Sequence, residues 1–209
     1  MRPVRRRALV AASVTVLALA GGSLVVAGVH GRAPEAAPLP EAVFDVSPDK
    51  VARPARAPQA RNPYTRASTL YIDSQDVVAP LVAEDAPEGD LTIPGDPAKV
   101  AMFTGLPDVD AAAGTTVLAG HVSYNGTTGA MTRISKLHAG DEVVTTGRSK
   151  QVSRWVVVSM AVRDKTDLPS FSADGERRLV LITCGGPVSR AATGGWHYRD
   201  NVIVTAVPA

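Results

Sequence analysis

Apolar and polar positions alternate along most of this chain in short runs. Residues 69–72, 77–82, 91–93, 98–103, 115–121, 141–146, 151–162, 178–184 and 198–207 are rich in Val, Ile, Leu and Thr, and Gly, Pro, Asp and Asn clusters separate them. Runs of that length and composition predict β-strands. Sustained helical periodicity is scarce, and helical turns are predicted only over 130–137 and 167–172. Eight or nine short strands with no room for crossover helices predict a mainly β fold, a closed antiparallel or mixed barrel over residues 67–209. No internal repeat or second folded domain is apparent.

Two earlier stretches break this pattern. Ala8 to Val29 is a run of 22 residues without a charge, preceded by Arg2, Arg5, Arg6 and Arg7. A helix of that length spans a hydrocarbon core of about 30 Å at about 1.5 Å per residue. The apolar core of a cleavable signal peptide, the rival reading, usually runs only about 7–15 residues. The arginines predict a single transmembrane helix within residues 1–32, with the N-terminus cytoplasmic and the remainder extracellular. Residues 33–66 hold seven of the chain's sixteen prolines and read as a semi-extended linker. Val43-Phe44-Asp45-Val46 is its one apolar patch, read as a linker irregularity in preference to a docking site.

Charge follows the same division. The first 32 residues hold five basic and no acidic residues, which leaves 17 basic against 20 acidic beyond them. The outer part carries no basic stripe interleaved with aromatics, and this argues against nucleic-acid binding. Four scattered histidines and one cysteine without metal-ligand spacing predict no metal and no cofactor. The acidic group Glu84, Asp85, Glu88 and Asp90 lacks the spacing of a calcium loop and reads as a solvated turn. His138 reads as a turn residue.

The candidate chemistry begins at Cys184, the chain's only cysteine. A lone thiol is either inert packing or a reactive group. Here it closes the run Leu179-Val180-Leu181-Ile182-Thr183, and Gly185-Gly186 are expected to end the strand and clear space beside the sulfur. His121 closes the run 115–121, and Arg199 opens the run toward Val204. Neighbouring strand ends can share one mouth, so a thiol, an imidazole and a guanidinium at three strand ends predict a cysteine enzyme. The stretch Gly185–Gly195 is expected to wall the cleft. Thr183, Tyr124 and His197 are secondary candidates for oxyanion or substrate contacts. An arginine stands where hydrolytic triads carry a carboxylate, and no residue identifiable from the sequence fixes the His121 tautomer.

Leu-Ala-Gly-His at 118–121, Leu-Ile-Thr-Cys-Gly-Gly at 181–186 and His-Tyr-Arg-Asp-Asn-Val at 197–202 resemble the sortases, membrane-anchored cysteine transpeptidases of Gram-positive bacteria. The last motif and the Ala-, Arg- and Val-rich composition are most similar to the class F sortases of actinobacteria. One departure is the absence of an aromatic residue near Met131-Thr132-Arg133-Ile134. The resemblance implies an eight-stranded sortase barrel with His121, Cys184 and Arg199 as the catalytic set. It also implies a Leu-Pro-x-Thr-Gly-type sorting peptide as donor, and a peptidoglycan precursor or other amine as acceptor. A monomer is expected. A thiol hydrolase on the same residues and a catalytically silent wall-binding scaffold are the competing readings.

Overall fold

The computed structural model describes residues 35–54, 63–86, 91–190 and 196–209. The predicted anchor, residues 8–29, lies outside them. Among the described residues no helix is long and apolar enough to cross a membrane.

The described strands are β1 (Phe44–Asp45), β2 (Thr69–Ile72), β3 (Val77–Glu84), β4 (Val100–Phe103), β5 (Thr115–Gly120), β6 (Ser123–Tyr124) and β7 (Thr127–Thr128). Four more follow: β8 (Glu142–Thr146), β9 (Val152–Asp164), β10 (Arg178–Arg190) and β11 (Trp196–Pro208). Hydrogen bonding runs β9-β11-β10-β5-β4-β3-β2-β8, and β8 pairs back onto β9, so eight strands close a barrel. The pairs β3–β4 and β5–β10 are parallel and the rest are antiparallel. The barrel is therefore of the mixed kind. β6 and β7 form a small hairpin directly after His121.

Period-2 alternation sorts the side chains of β10 to two faces. Leu179 and Leu181 point into the barrel with Leu118, Trp155, Val202 and Val204. Val180 and Ile182 point outward with Val117, Ala119 and Ile203, into a second apolar layer covered by Leu91, Ile93, Leu168 and Phe171. Burial on both faces explains why β5 and β10 read as continuous apolar runs without alternation.

Three local expectations differ. Residues 91–93 form no strand, because their apolar side chains are used to cover the outer layer. Residues 167–172 form no helical turn, and Leu168 and Phe171 serve the same covering role. The turn predicted over 130–137 is present as a short 3-10 helix, Ile134–Lys136. The apolar patch of the Pro/Ala-rich segment docks: Phe44 pairs with Met160 and Asp45 with Ser159, on β9 beyond the residues paired with β8. Val51 is buried against Val156 and Val158. A strand edge with free N–H and C=O groups accepts even a two-residue partner.

Candidate active site

Cys184 lies on β10, between β5 and β11. Thr183 sits opposite Gly120 in the parallel β5–β10 ladder, so Cys184 and His121 are one step further along the same two neighbouring strands. On the other side Cys184 faces Asn201 of β11, and Arg199 lies two residues from Asn201. Alternation from Ile182, Ala119 and Ile203 puts Cys184, His121 and Arg199 on one side of the sheet, the outward one. The backbone thus brings the three sequence candidates to adjacent positions, His121 just past the end of β5 and Arg199 on β11 to either side of Cys184.

A cleft of about 250 Å³ runs over this face and reaches Cys184. Ala119, Ile182 and Asn201 form its floor, and Leu91, Ile93, Leu168 and Lys165 its walls. The two segments that are neither strand nor helix are therefore the cleft walls.

His121 is half-buried, and its Nε2 lies 3.0 Å from the Pro94 carbonyl oxygen. A carbonyl only accepts, so Nε2 carries the hydrogen and neutral His121 keeps its lone pair on Nδ1. The tautomer is fixed by a backbone oxygen, a partner that side-chain identity could not disclose. The Tyr124 ring stacks on His121 at 4.7 Å between centroids. Burial lowers the His121 pKa below its ordinary value; the Pro94 hydrogen bond opposes this and the Lys165 charge adds to it. Behind the ring, the Met131 N–H bonds the His121 carbonyl at 3.1 Å. Met131 is fully buried and fills the space over Gly120, where a Cβ would come within 2.8 Å of it.

Arg199 donates from Nε and Nη2 to the two oxygens of Asp200, both at 2.9 Å. The Asp200 carboxylate raises the guanidinium pKa and keeps it charged. Five N–H groups less two leaves three for a substrate. Asp200 is itself buried. A Cβ on Gly186 would approach Asp200 Oδ2 to 2.2 Å, and Gly186 has φ of 75°. Gly186 therefore makes room for Asp200, and Gly185 for Val202 and Leu39, rather than for the sulfur. The strand does not end there either: β10 runs on to Arg190, with a register shift between Gly185 and Val188. The stretch expected to wall the cleft is thus strand as far as Arg190, and 191–195 lie outside the described residues.

Of the secondary candidates, Thr183 donates its hydroxyl to the Gly120 carbonyl at 2.8 Å, a buried clamp between the strands of Cys184 and His121. Its one O–H is spent there and is not free for a substrate. Tyr124 is exposed and covers His121. His197 is exposed and bonds Ser189, its cross-strand partner, through Nε2 at 2.9 Å. Tyr198 had no assigned role in the sequence, yet its hydroxyl lies 2.9 Å from Ser123 Oγ and ties β11 to the hairpin after His121. Among the described residues no cluster of His, Cys, Asp or Glu could hold a metal ion.

The family model for the sortase domain matches residues 70–209. The chain belongs to the sortase family. Sortase A of Listeria monocytogenes is similar in fold, at a TM-score of 0.52 and 17% identity over 68% of this chain and 85% of that one. Sortase C-1 of Actinomyces oris gives 0.52 and 19% over 68% and 72%. Sortase C1 of Streptococcus suis gives 0.51 and 15% over 70% and 74%. No curated protein matches the chain. Membership accounts for the closed eight-stranded barrel, and sortases are in general cysteine transpeptidases that act on sorting-signal proteins and amine acceptors. The single cysteine of this sortase lies at the cleft.

Proposed function

We propose that this protein is a cysteine transpeptidase that cleaves a Leu-Pro-x-Thr-Gly-type sorting signal after Thr and passes the acyl group to a cell-wall amine. The observation that carries the reading is the shared face: Cys184 reaches the cleft, with His121 and Arg199 on the strands to either side. The Cys184 thiolate attacks the scissile carbonyl, and the C–N bond breaks to give a thioacyl enzyme. His121, with Nε2 committed to Pro94, takes the thiol proton of Cys184 on Nδ1, gives it to the departing amine, and later takes one from the incoming amine. Arg199, held by Asp200, points its remaining N–H groups at the developing oxyanion or the peptide backbone. The apolar walls Leu91, Ile93 and Leu168 suit a branched apolar side chain of the signal. The tail motif 197–202 favours class F within the family, and the arginines followed by an uncharged run favour an extracellular catalytic domain anchored by the N-terminus.

Incubating the protein with a sorting peptide and a small amine tests this. Amine-coupled peptide is the expected product. Cleaved acid alone would establish a hydrolase, and no turnover would establish a silent scaffold.

A further inference from the structure

The Pro/Ala-rich segment takes no part in the acyl transfer above, yet its placement bears on Cys184. Ala37 and Gly186 form a two-bond bridge, with Ala37 N–H donating to Gly186 O at 3.1 Å and Gly186 N–H to Ala37 O at 3.2 Å. Ala37 is buried. Leu39 covers the neighbouring glycine, since a Cβ on Gly185 would lie 3.1 Å from Leu39 Cδ2. Further on, β1 pairs with β9 and Val46 N–H donates to Val158 O at 2.9 Å. The segment is therefore fixed at two places, on the strand of the nucleophile and on β9.

The bridge falls where β10 has least support of its own. Thr183 is the last β10 residue paired with β5, the register to β11 shifts after Gly185, and Gly186 stands at positive φ. Two glycines without side-chain packing leave such a backbone free to shift. Gly186 also abuts the Asp200 carboxylate that holds Arg199. A shift at Gly186 thus moves the backbone just past the sulfur and the anchor of the guanidinium together.

We propose that residues 37–46 are a positioning strap, which clamps Gly186 and so holds Cys184 and the Asp200–Arg199 pair in register for acyl transfer. This rests on the transpeptidase reading. The test uses the full-length protein. Ala37→Pro deletes the N–H that Gly186 O accepts, Ala37→Gly keeps it, and Leu39→Ala uncovers Gly185 while leaving the bridge. For Ala37→Pro we expect kcat for amine-coupled product to fall about 10-fold or more, since a misplacement of about 1 Å can cost about 10²-fold, with KM within about twofold. We expect Ala37→Gly to match the unsubstituted protein and Leu39→Ala to fall between, all three with near-unchanged thermal unfolding. Equal rates in Ala37→Pro and Ala37→Gly, or faster turnover in Ala37→Pro, would overturn the strap, the latter by showing it to be a block. If the unsubstituted protein makes no product, the transpeptidase reading fails instead. The rate of Cys184 alkylation by iodoacetamide still decides the strap in that case: a change of several-fold in Ala37→Pro alone supports it, and an unchanged rate overturns it.

Discussion

At the residue scale, the site divides between groups that do chemistry and groups that fix them. Cys184→Ala removes the proposed nucleophile, so thioacyl formation and amide cleavage should both vanish, as read by mass spectrometry of the enzyme and of the peptide. His121→Ala should leave a thiol that alkylates but turn over about 10²–10⁴-fold more slowly, since the leaving amine departs unprotonated. Arg199→Lys keeps the charge but loses the planar fork that engages both Asp200 oxygens, and kcat/KM should drop strongly while circular dichroism stays unchanged. The lowered His121 pKa has a definite sign in a pH profile. In the proposed mechanism the Cys–His pair works with one transferable proton, and the acid limb reports loss of that state by a second protonation. A depressed imidazole resists the second proton, so the limb should lie below about pH 6.5, the ordinary histidine value. Tyr124→Ala exposes the ring and should move the limb upward. A limb that does not move would mean that Tyr124 does not shield His121.

At the element scale, much was legible in the sequence and the remainder has particular physical causes. The strands of the barrel follow from β-branched runs bounded by turn residues, and the two doubly buried ones, β5 and β10, announced themselves as unbroken apolar runs. Residues 91–93 misled because an apolar cleft wall and a strand have the same composition when read locally. Gly185-Gly186 resembled a strand end because glycine punctuates most strands, whereas the contacts that demand it, Val202 beside Gly185 and Asp200 beside Gly186, come from β11. Pro94 was invisible for another reason: its contribution is a carbonyl, which every residue has. Phe44 looked isolated in a proline-rich stretch because its partner Met160 is remote in sequence. Gly186→Ala tests the reading of the glycine pair. An L-residue at that φ costs about 1–2 kcal/mol, and the methyl would also push Asp200 off Arg199. We expect a small loss in thermal stability and a loss of activity that resembles Asp200→Ala. Full activity with lost stability would reduce the glycine to a purely conformational role.

At the scale of the whole molecule, the barrel wall separates two apolar layers with different duties. The inner one is centred on fully buried Trp155, whose Nε1 donates to Thr145 Oγ1 at 2.9 Å and whose face carries the Arg177 guanidinium at 4.4 Å. The outer one, beneath Leu91, Ile93 and Leu168, is shared between the core and the cleft. Substitutions in the two layers should therefore separate stability from substrate binding. Trp155→Phe keeps most of the inner volume but strands the Thr145 hydroxyl and thins the platform under Arg177. Trp155→Ala also opens a cavity and should cost about 3–5 kcal/mol in chemical denaturation. None of this packing touches the cleft, so the fraction of Trp155→Phe that stays folded should keep its KM. Ile93→Ala removes only part of a half-buried wall, so stability should change little. KM for the sorting peptide should rise about 10-fold, from three lost carbons at about 0.8 kcal/mol each when fully buried and about half of that for a half-buried wall. Ile93 also precedes Pro94, whose carbonyl fixes His121, and a displaced backbone there would lower kcat as well. A rise in KM alone shows that the wall binds substrate without positioning the acid–base. A fall in kcat together with a changed acid limb shows that one segment does both.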